Sequence, residues 1–248
     1  MTAAEHTRDA LLGGRIRIEQ PRRGQRASAD AVMLAAAVPA RRGQRALDLG
    51  CGSGVGMLCL AARVPGVAVD GAEIQPDLAA LCARNIALND MADRLQVVAG
   101  DIRRRIAGLT PNGYDHVFAN PPYFDSARHR ASPHVGRATA RSESGAADLA
   151  EWIAAMLRHA KPGGRLTLIH KAERLGDILQ VLGKKAGGVR VVPLYSKAGQ
   201  PAKRMILSAV KDSRAPLQLD AGLVLHREDG SYFPDVDAML REGAAFPR

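Results

Sequence analysis

From residue 46 onward, short apolar runs alternate with Ala- and Leu-rich stretches, and this alternation constrains the fold more than any other feature. Ala46–Leu49, Val67–Val69, Leu95–Val98, His116–Ala119 and Arg165–His170 read as buried strands. Gly56–Arg63, Asp77–Asn89, Asp148–His159 and Arg174–Lys184 read as helices. The helical face is clearest in Leu149, Trp152, Ile153, Met156 and Leu157, which recur at one side of a 3.6-residue period. Strands alternating with helices imply right-handed crossovers and a mostly parallel sheet covered on both faces. Lys161-Pro162-Gly163-Gly164 supplies a stop signal after the Trp152 helix. Further on, Val189–Leu194, Arg204–Val210 and Gly222–His226 read as strands joined by short turns, so an antiparallel strand is expected at the edge of the sheet. Ala29–Val38 is apolar enough to form a helix beside the sheet. Residues 1–40 are expected to pack as an N-terminal segment on one α/β domain spanning 41–248.

Composition narrows the class. Of 248 residues, 46% are hydrophobic but only 4% aromatic, so the core must be aliphatic. No apolar run reaches the roughly 18–20 residues of a membrane span. The N-terminus lacks the apolar region of a secretory signal. Cys51, Cys59 and Cys82 are odd in number and form no CxxC pair, which argues against a disulfide scaffold or a zinc site and for a reducing cytoplasm. No metal is expected. A net charge of +10 favours an anionic partner such as RNA or DNA, although an Arg- and Ala-rich chain is also what a GC-rich genome encodes.

The first chemical signal is Asp48-Leu49-Gly50-Cys51-Gly52-Ser53-Gly54, which follows a strand and opens a helix. Glycines in such a turn let the backbone bend sharply and approach a ligand, and the helix N-terminus adds amide donors. Glu73 lies about 20 positions further on, at the end of the second strand, where a carboxylate can hold a ribose diol. The spacing is G-x-G-x-G rather than the G-x-G-x-x-G of dinucleotide binders. Asp48 beside the turn would repel a pyrophosphate and suits a ligand carrying ammonium and sulfonium charge.

The stretch ALDLGCGSGVGMLCLAA (46–62) resembles the first motif of class I S-adenosylmethionine-dependent methyltransferases. VDGAEIQPDLAALCARNIALN (69–89) resembles their second, and Val98-Ala99-Gly100-Asp101-Ile102 their third. The resemblance implies a Rossmann-like α/β fold with a mostly parallel seven-stranded sheet. It implies that Gly50, Gly52 and Gly54 cradle the methionine part of S-adenosylmethionine and that Asp48 supports its ammonium end. Glu73 would hold the ribose hydroxyls and Asp101 would accept from the adenine amine. Cys51, Ile74, Ile102 and Asn120 fall in the same cofactor site, which would release S-adenosylhomocysteine. An Asp after a strand is also a common cap, so Asp101 has a plainer role open to it.

Tyr114–Tyr123 is the most informative run, a buried strand ending in Asn120-Pro121-Pro122-Tyr123. Open α/β sheets bind ligands outside the carboxyl ends of their strands, so this tip should face the cofactor. The Asn120 side-chain oxygen and the Pro121 carbonyl can accept both hydrogens of one –NH2 group, and Tyr123 offers a flat face for stacking. Two fixed acceptors favour the positive charge that develops on a weakly nucleophilic nitrogen. No strong general base is needed, because the alkylated nitrogen loses its proton easily. The motif resembles that of amino-methyltransferases acting on adenine N6, cytosine N4 or glutamine amide.

The run Gln20–Arg26, then Ala29–Ala35, Asn120–Phe124, Pro201–Arg204 and Leu223–His226, resembles the bacterial tRNA1(Val) adenine-N6 methyltransferase family over roughly residues 10–245. That family acts on an adenosine next to the anticodon. The resemblance implies catalytic roles for Asn120, Pro121 and Tyr123. Pro122, Tyr123, Phe124, Arg22, Arg26, Arg128, Arg130 and Arg141 are the candidate RNA-binding residues, since basic groups flanking an amine pocket suit a phosphate backbone. Any one of these arginines is equally a solvated charge. His116, His170 and Trp152 read as core residues. The chain departs from the family at Gln25, where an aromatic is usual, and in the His-rich stretch after Phe124. A protein-glutamine methyltransferase, a non-catalytic RNA-binding module and a nicotinamide oxidoreductase are the competing readings. The first lacks room for its early helical bundle, the second is opposed by an intact Asp48, Glu73 and Asn120, and the third by the glycine spacing.

Overall fold

A computed structural model describes residues 6–22, 26–122 and 148–247. The expected alternation is present. Strands β3 (Arg45–Leu49), β4 (Ala68–Glu73), β5 (Leu95–Ala99), β6 (Tyr114–Ala119) and β7 (Ala160–Lys171) are mutually parallel neighbours in the order β7-β6-β3-β4-β5. Between them run α2 (Val55–Arg63), α3 (Pro76–Leu88) and α4 (Leu149–His159). Helix α4 starts on a capping box in which Asp148 and Glu151 each accept from the other's backbone N–H. It ends at His159, and the Lys161–Gly164 run already belongs to the next strand.

After α5 (Leu175–Leu182) come β8 (Ala186–Tyr195) and β9 (Arg204–Lys211). The antiparallel strand is β9, and it sits between β7 and β8 rather than at the edge. The edge expectation is corrected on a physical ground. The α5 crossover carries β8 one strand position beyond β7, and the short return after Tyr195 lets β9 fill the gap, so β9 satisfies both neighbours' backbones. The margin beyond β8 carries two dipeptide strands, β10 (Gln218–Leu219) and β11 (Leu223–Val224). The sheet therefore holds seven longer strands and these two short ones among the described residues. The expected Gly222–His226 strand shrinks to β11, followed by an isolated bridge from His226 to Tyr232.

Each face of the sheet buries its own aliphatic core. One is formed with α1 (Ala29–Ala37), α2 and the C-terminal α6 (Pro234–Glu242), and includes Met33, Leu34, Met57, Leu58 and Phe118. The other is formed with α4 and α5, and includes Leu47, Leu49, Trp152, Met156 and Ile178. None of the described helices is long and apolar enough to cross a membrane.

The N-terminal region holds a hairpin that the sequence reading leaves out, β1 (His6–Leu11) paired antiparallel with β2 (Ile16–Pro21). Its outer edge is satisfied by one side chain of α3 and one from the residue that caps the end of that helix. Asn85 accepts from the Glu19 N–H and donates to its carbonyl, and Asn89 does the same with Arg17. Two asparagines one helical turn apart thus stand in for a third strand.

Candidate active site at the carboxyl end of the sheet

The register sets the site. Leu49 pairs with Ala72 on one side and with Ala119 on the other. Gly50, Glu73 and Asn120 therefore leave three adjacent strands at one level. The Gly50 and Cys51 N–H groups both donate to the Ala72 carbonyl, at 2.8 and 3.0 Å, which ties the turn to β4. Gly50, Gly52 and Gly54 all have positive φ, at 69°, 56° and 93°. At Gly50 the requirement is double, because a Cβ there would also overlap the indole of Trp152.

Glu73 is buried and its carboxylate is already oriented. One oxygen accepts from the Gly52 N–H and the other from the Gln75 N–H, each at 2.9 Å. A carboxylate offers about four acceptor positions, so two remain for a diol. Ile74, next to it, is half exposed, whereas Ile102 is buried.

Asp48 is buried against α2, where the Met57 N–H reaches it and Gly56 leaves room for it. Burial raises its carboxyl well above the ordinary carboxylate range. The Met57 N–H opposes this, and the charge of Glu73 adds to it. No ion pair joins Asp48 to a cation among the described residues. An acid held this way is complementary to a cationic group brought by a ligand.

Asp101 is engaged by Arg103, whose backbone N–H and guanidinium reach both carboxyl oxygens at 2.6–3.0 Å. The Arg103 hydrogen bonds hold its carboxyl below the usual range. Arg103 is thus partnered rather than a free solvated charge. Cys51 is buried, with Sγ 4.0 Å from that of Cys82. That contact, with burial, drives its thiol well up, which suits a small space-filler and not a nucleophile.

On the acceptor side Asn120 is half-buried, Pro121 buried and Pro122 exposed. Tyr123, Phe124, Arg128, Arg130 and Arg141 lie outside the described residues. Arg22 is exposed just past β2. Arg26 donates to Thr7, to the Pro21 carbonyl and to Asp9, so it fastens the base of the hairpin. Its first role here is structural, and only part of its charge faces outward. His116 is buried, with its pKa pushed down to about 4 by burial, and lies toward the end of the sheet away from the site.

Two residues near the site escape sequence reasoning. Trp152 has the periodicity of core and is core, but its ring also abuts Gly50. Asn85 donates to the Ser53 carbonyl inside the glycine turn at 2.9 Å as well as holding the hairpin. A polar side chain on the apolar side of α3 is the one sequence signal that marks it.

The sequence profile of the methyltransferase small domain family matches residues 26–192, more than half of the chain. The chain belongs to the methyltransferase small domain family. Methyl transfer is therefore its chemistry, with S-adenosylmethionine as donor. The chain is 29% identical over 248 residues to a tRNA1(Val) (adenine(37)-N6)-methyltransferase of Musicola paradisiaca, covering 98% of both chains. It is 29% identical to the protein of that name from Yersinia pestis, covering 86% of this chain and 84% of the relative. Among solved structures it is similar to a predicted O-methyltransferase of Agrobacterium tumefaciens, at TM-score 0.73 and 28% identity, covering 88% of this chain and 99% of that one. Similarity to P. horikoshii TYW2 in complex with MeSAdo, at TM-score 0.56 and 16% identity over 86% and 74% of the chains, concerns the fold alone. For this methyltransferase the residues fit the donor. Asp48 is a buried acid without a paired cation among the described residues, Glu73 keeps acceptor positions open, and the turn between them carries three positive-φ glycines.

Proposed function

We propose that the chain methylates N6 of an adenosine in tRNA beside the anticodon, the position for which its curated relatives are named. One observation carries this reading. Asn120-Pro121-Pro122 leaves β6 directly beside the glycine turn of β3, so an amine held by Asn120 stands next to the donor cradle.

When bound, S-adenosylmethionine supplies an electrophilic methyl group on sulfur. Asp48 would hold the ammonium end, Glu73 the ribose hydroxyls, and Asp101, now engaged by Arg103, the adenine amine. Gly50, Cys51, Gly52 and Gly54 line the turn, with Ile74 and Ile102 beside it. Asn120 and the Pro121 carbonyl accept the two amine hydrogens and hold the nitrogen lone pair in line, and placement of this kind accounts for most of the acceleration. Tyr123, Pro122 and Phe124 are assigned to stacking the flipped base. Arg22, Arg26, Arg128, Arg130 and Arg141 are assigned to the RNA backbone. A cytoplasmic site of action follows from such a substrate.

The test is transfer of a tritiated methyl group to total tRNA, ribosomal RNA or protein extract, followed by nuclease digestion. Label in N6-methyladenosine from tRNA is expected, and label in protein or in another nucleoside overturns the reading. Asn120→Ala should retain S-adenosylhomocysteine binding and lose at least about 10²-fold in transfer rate, by analogy with removal of one oxyanion donor.

A further inference from the structure

Trp152 is the only tryptophan of the chain, and it is 8% exposed. It stands on the first turn of α4. The end of α4 meets Ala160, which pairs with Tyr114 at the start of β6. The first turn of α4 therefore lies at the opposite end of the sheet, level with Gly50 and Asn120. There the six-membered ring of the indole fills the space that a Gly50 side chain would need.

The indole Nε1 is fully buried and has no hydrogen-bond partner among the described residues. Buried N–H groups in folded proteins nearly always have an acceptor, and leaving one unmade costs free energy. The apolar cluster around Trp152 includes Leu49, Ile102, Ala119 and Ile153, whose side chains offer none. Three of these four residues adjoin the donor turn, the Asp101 loop or the Asn120 tip.

We infer that Trp152 is a binding residue of the donor site. Its indole closes the floor of the cradle from the sheet face opposite α2, and its N–H is held for an oxygen or ring nitrogen of S-adenosylmethionine. This rests on the donor assignment given above and adds a residue from an element that follows the Asn-Pro-Pro tip. Trp152 thereby links the element after the acceptor strand to the turn that carries the donor.

Fluorescence excited in the red edge of the absorption band, where the four tyrosines do not absorb, reads this residue alone. Saturation of the wild type with S-adenosylhomocysteine, followed in parallel by calorimetry, is expected to change the emission. Trp152→Phe keeps an aromatic floor and removes the N–H. It is expected to weaken S-adenosylhomocysteine binding roughly three- to tenfold, the range of one net hydrogen bond. KM for S-adenosylmethionine should rise with kcat unchanged, as for lost ground-state binding. Unchanged emission at calorimetric saturation overturns the assignment. So does a Trp152→Phe protein with a lowered melting temperature but wild-type affinity, since that is the signature of a packing role only. Absence of S-adenosylhomocysteine binding to the wild type overturns the donor assignment along with it.

Discussion

Asn85 donates its side-chain amide to the Ser53 carbonyl at 2.9 Å, joining the middle of α3 to the glycine turn across 32 positions of sequence. The same amide grips both main-chain groups of Glu19 in the hairpin. The donor turn and the N-terminal hairpin thus share one fully buried anchor.

Asn85→Ala leaves the Glu19 N–H, the Glu19 carbonyl and the Ser53 carbonyl without this partner. A loss of about 2–4 kcal/mol is expected in urea unfolding, from the penalty for unsatisfied buried groups. S-adenosylhomocysteine affinity should fall with it, because Ser53 loses its tether. An unaltered midpoint would mean that the hairpin is held by its apolar residues alone.

Asp48 carries a raised pKa, so its neutral form is favoured in the fold. Its contribution to stability is complete below the ordinary carboxylate range and is lost as pH rises from there through the raised value. Asp48→Asn should therefore melt higher than the wild type at pH 7, by roughly 2–4 °C if about 1 kcal/mol is recovered. The same variant should bind S-adenosylhomocysteine more weakly.

Arg103 occupies both oxygens of Asp101. If Asp101 accepts from the adenine amine, Arg103 competes with the ligand. Arg103→Ala should then tighten S-adenosylhomocysteine binding a few-fold, in keeping with the small worth of surface ion pairs. Weaker binding in this variant would instead make Arg103 part of the adenine pocket.

Tyr114 provides the contrasting case at the other end of the sheet. Its hydroxyl donates to Asp70 at 2.6 Å, and Asp70 also receives Arg45 and Gln96. Tyr114→Phe should cost about 1.5–3 kcal/mol, the range for a hydrogen bond to a charged group. Chemical denaturation measures this, and kcat should stay at the wild-type level because the strand tips are untouched.

What the sequence shows depends on how local the determining interaction is. Helix α4 is legible because its apolar face and its Asp148–Glu151 cap lie within one stretch. Asp48, Glu73 and Asn120 are legible because each lies at or just past the carboxyl end of an apolar strand. The hairpin is not, since the burial of Ile16 and Ile18 and the docking of its edge depend on Asn85 and Asn89, far along the chain. The place of β9 is hidden for the same reason, as the composition of a strand does not reveal which neighbours it will have. Trp152 reads as core because periodicity reports that a face is buried and not what it is buried against.

The two dipeptide strands on the β8 margin have a practical corollary. They occupy only part of a ten-residue run, yet they interrupt it at two points and leave no long stretch of bare backbone. A truncation ending before Leu217 would strip both away. Ala186–Tyr195 would then be an open template on which further molecules could stack edge to edge, so shortened versions made for crystallisation should keep residues 217–224.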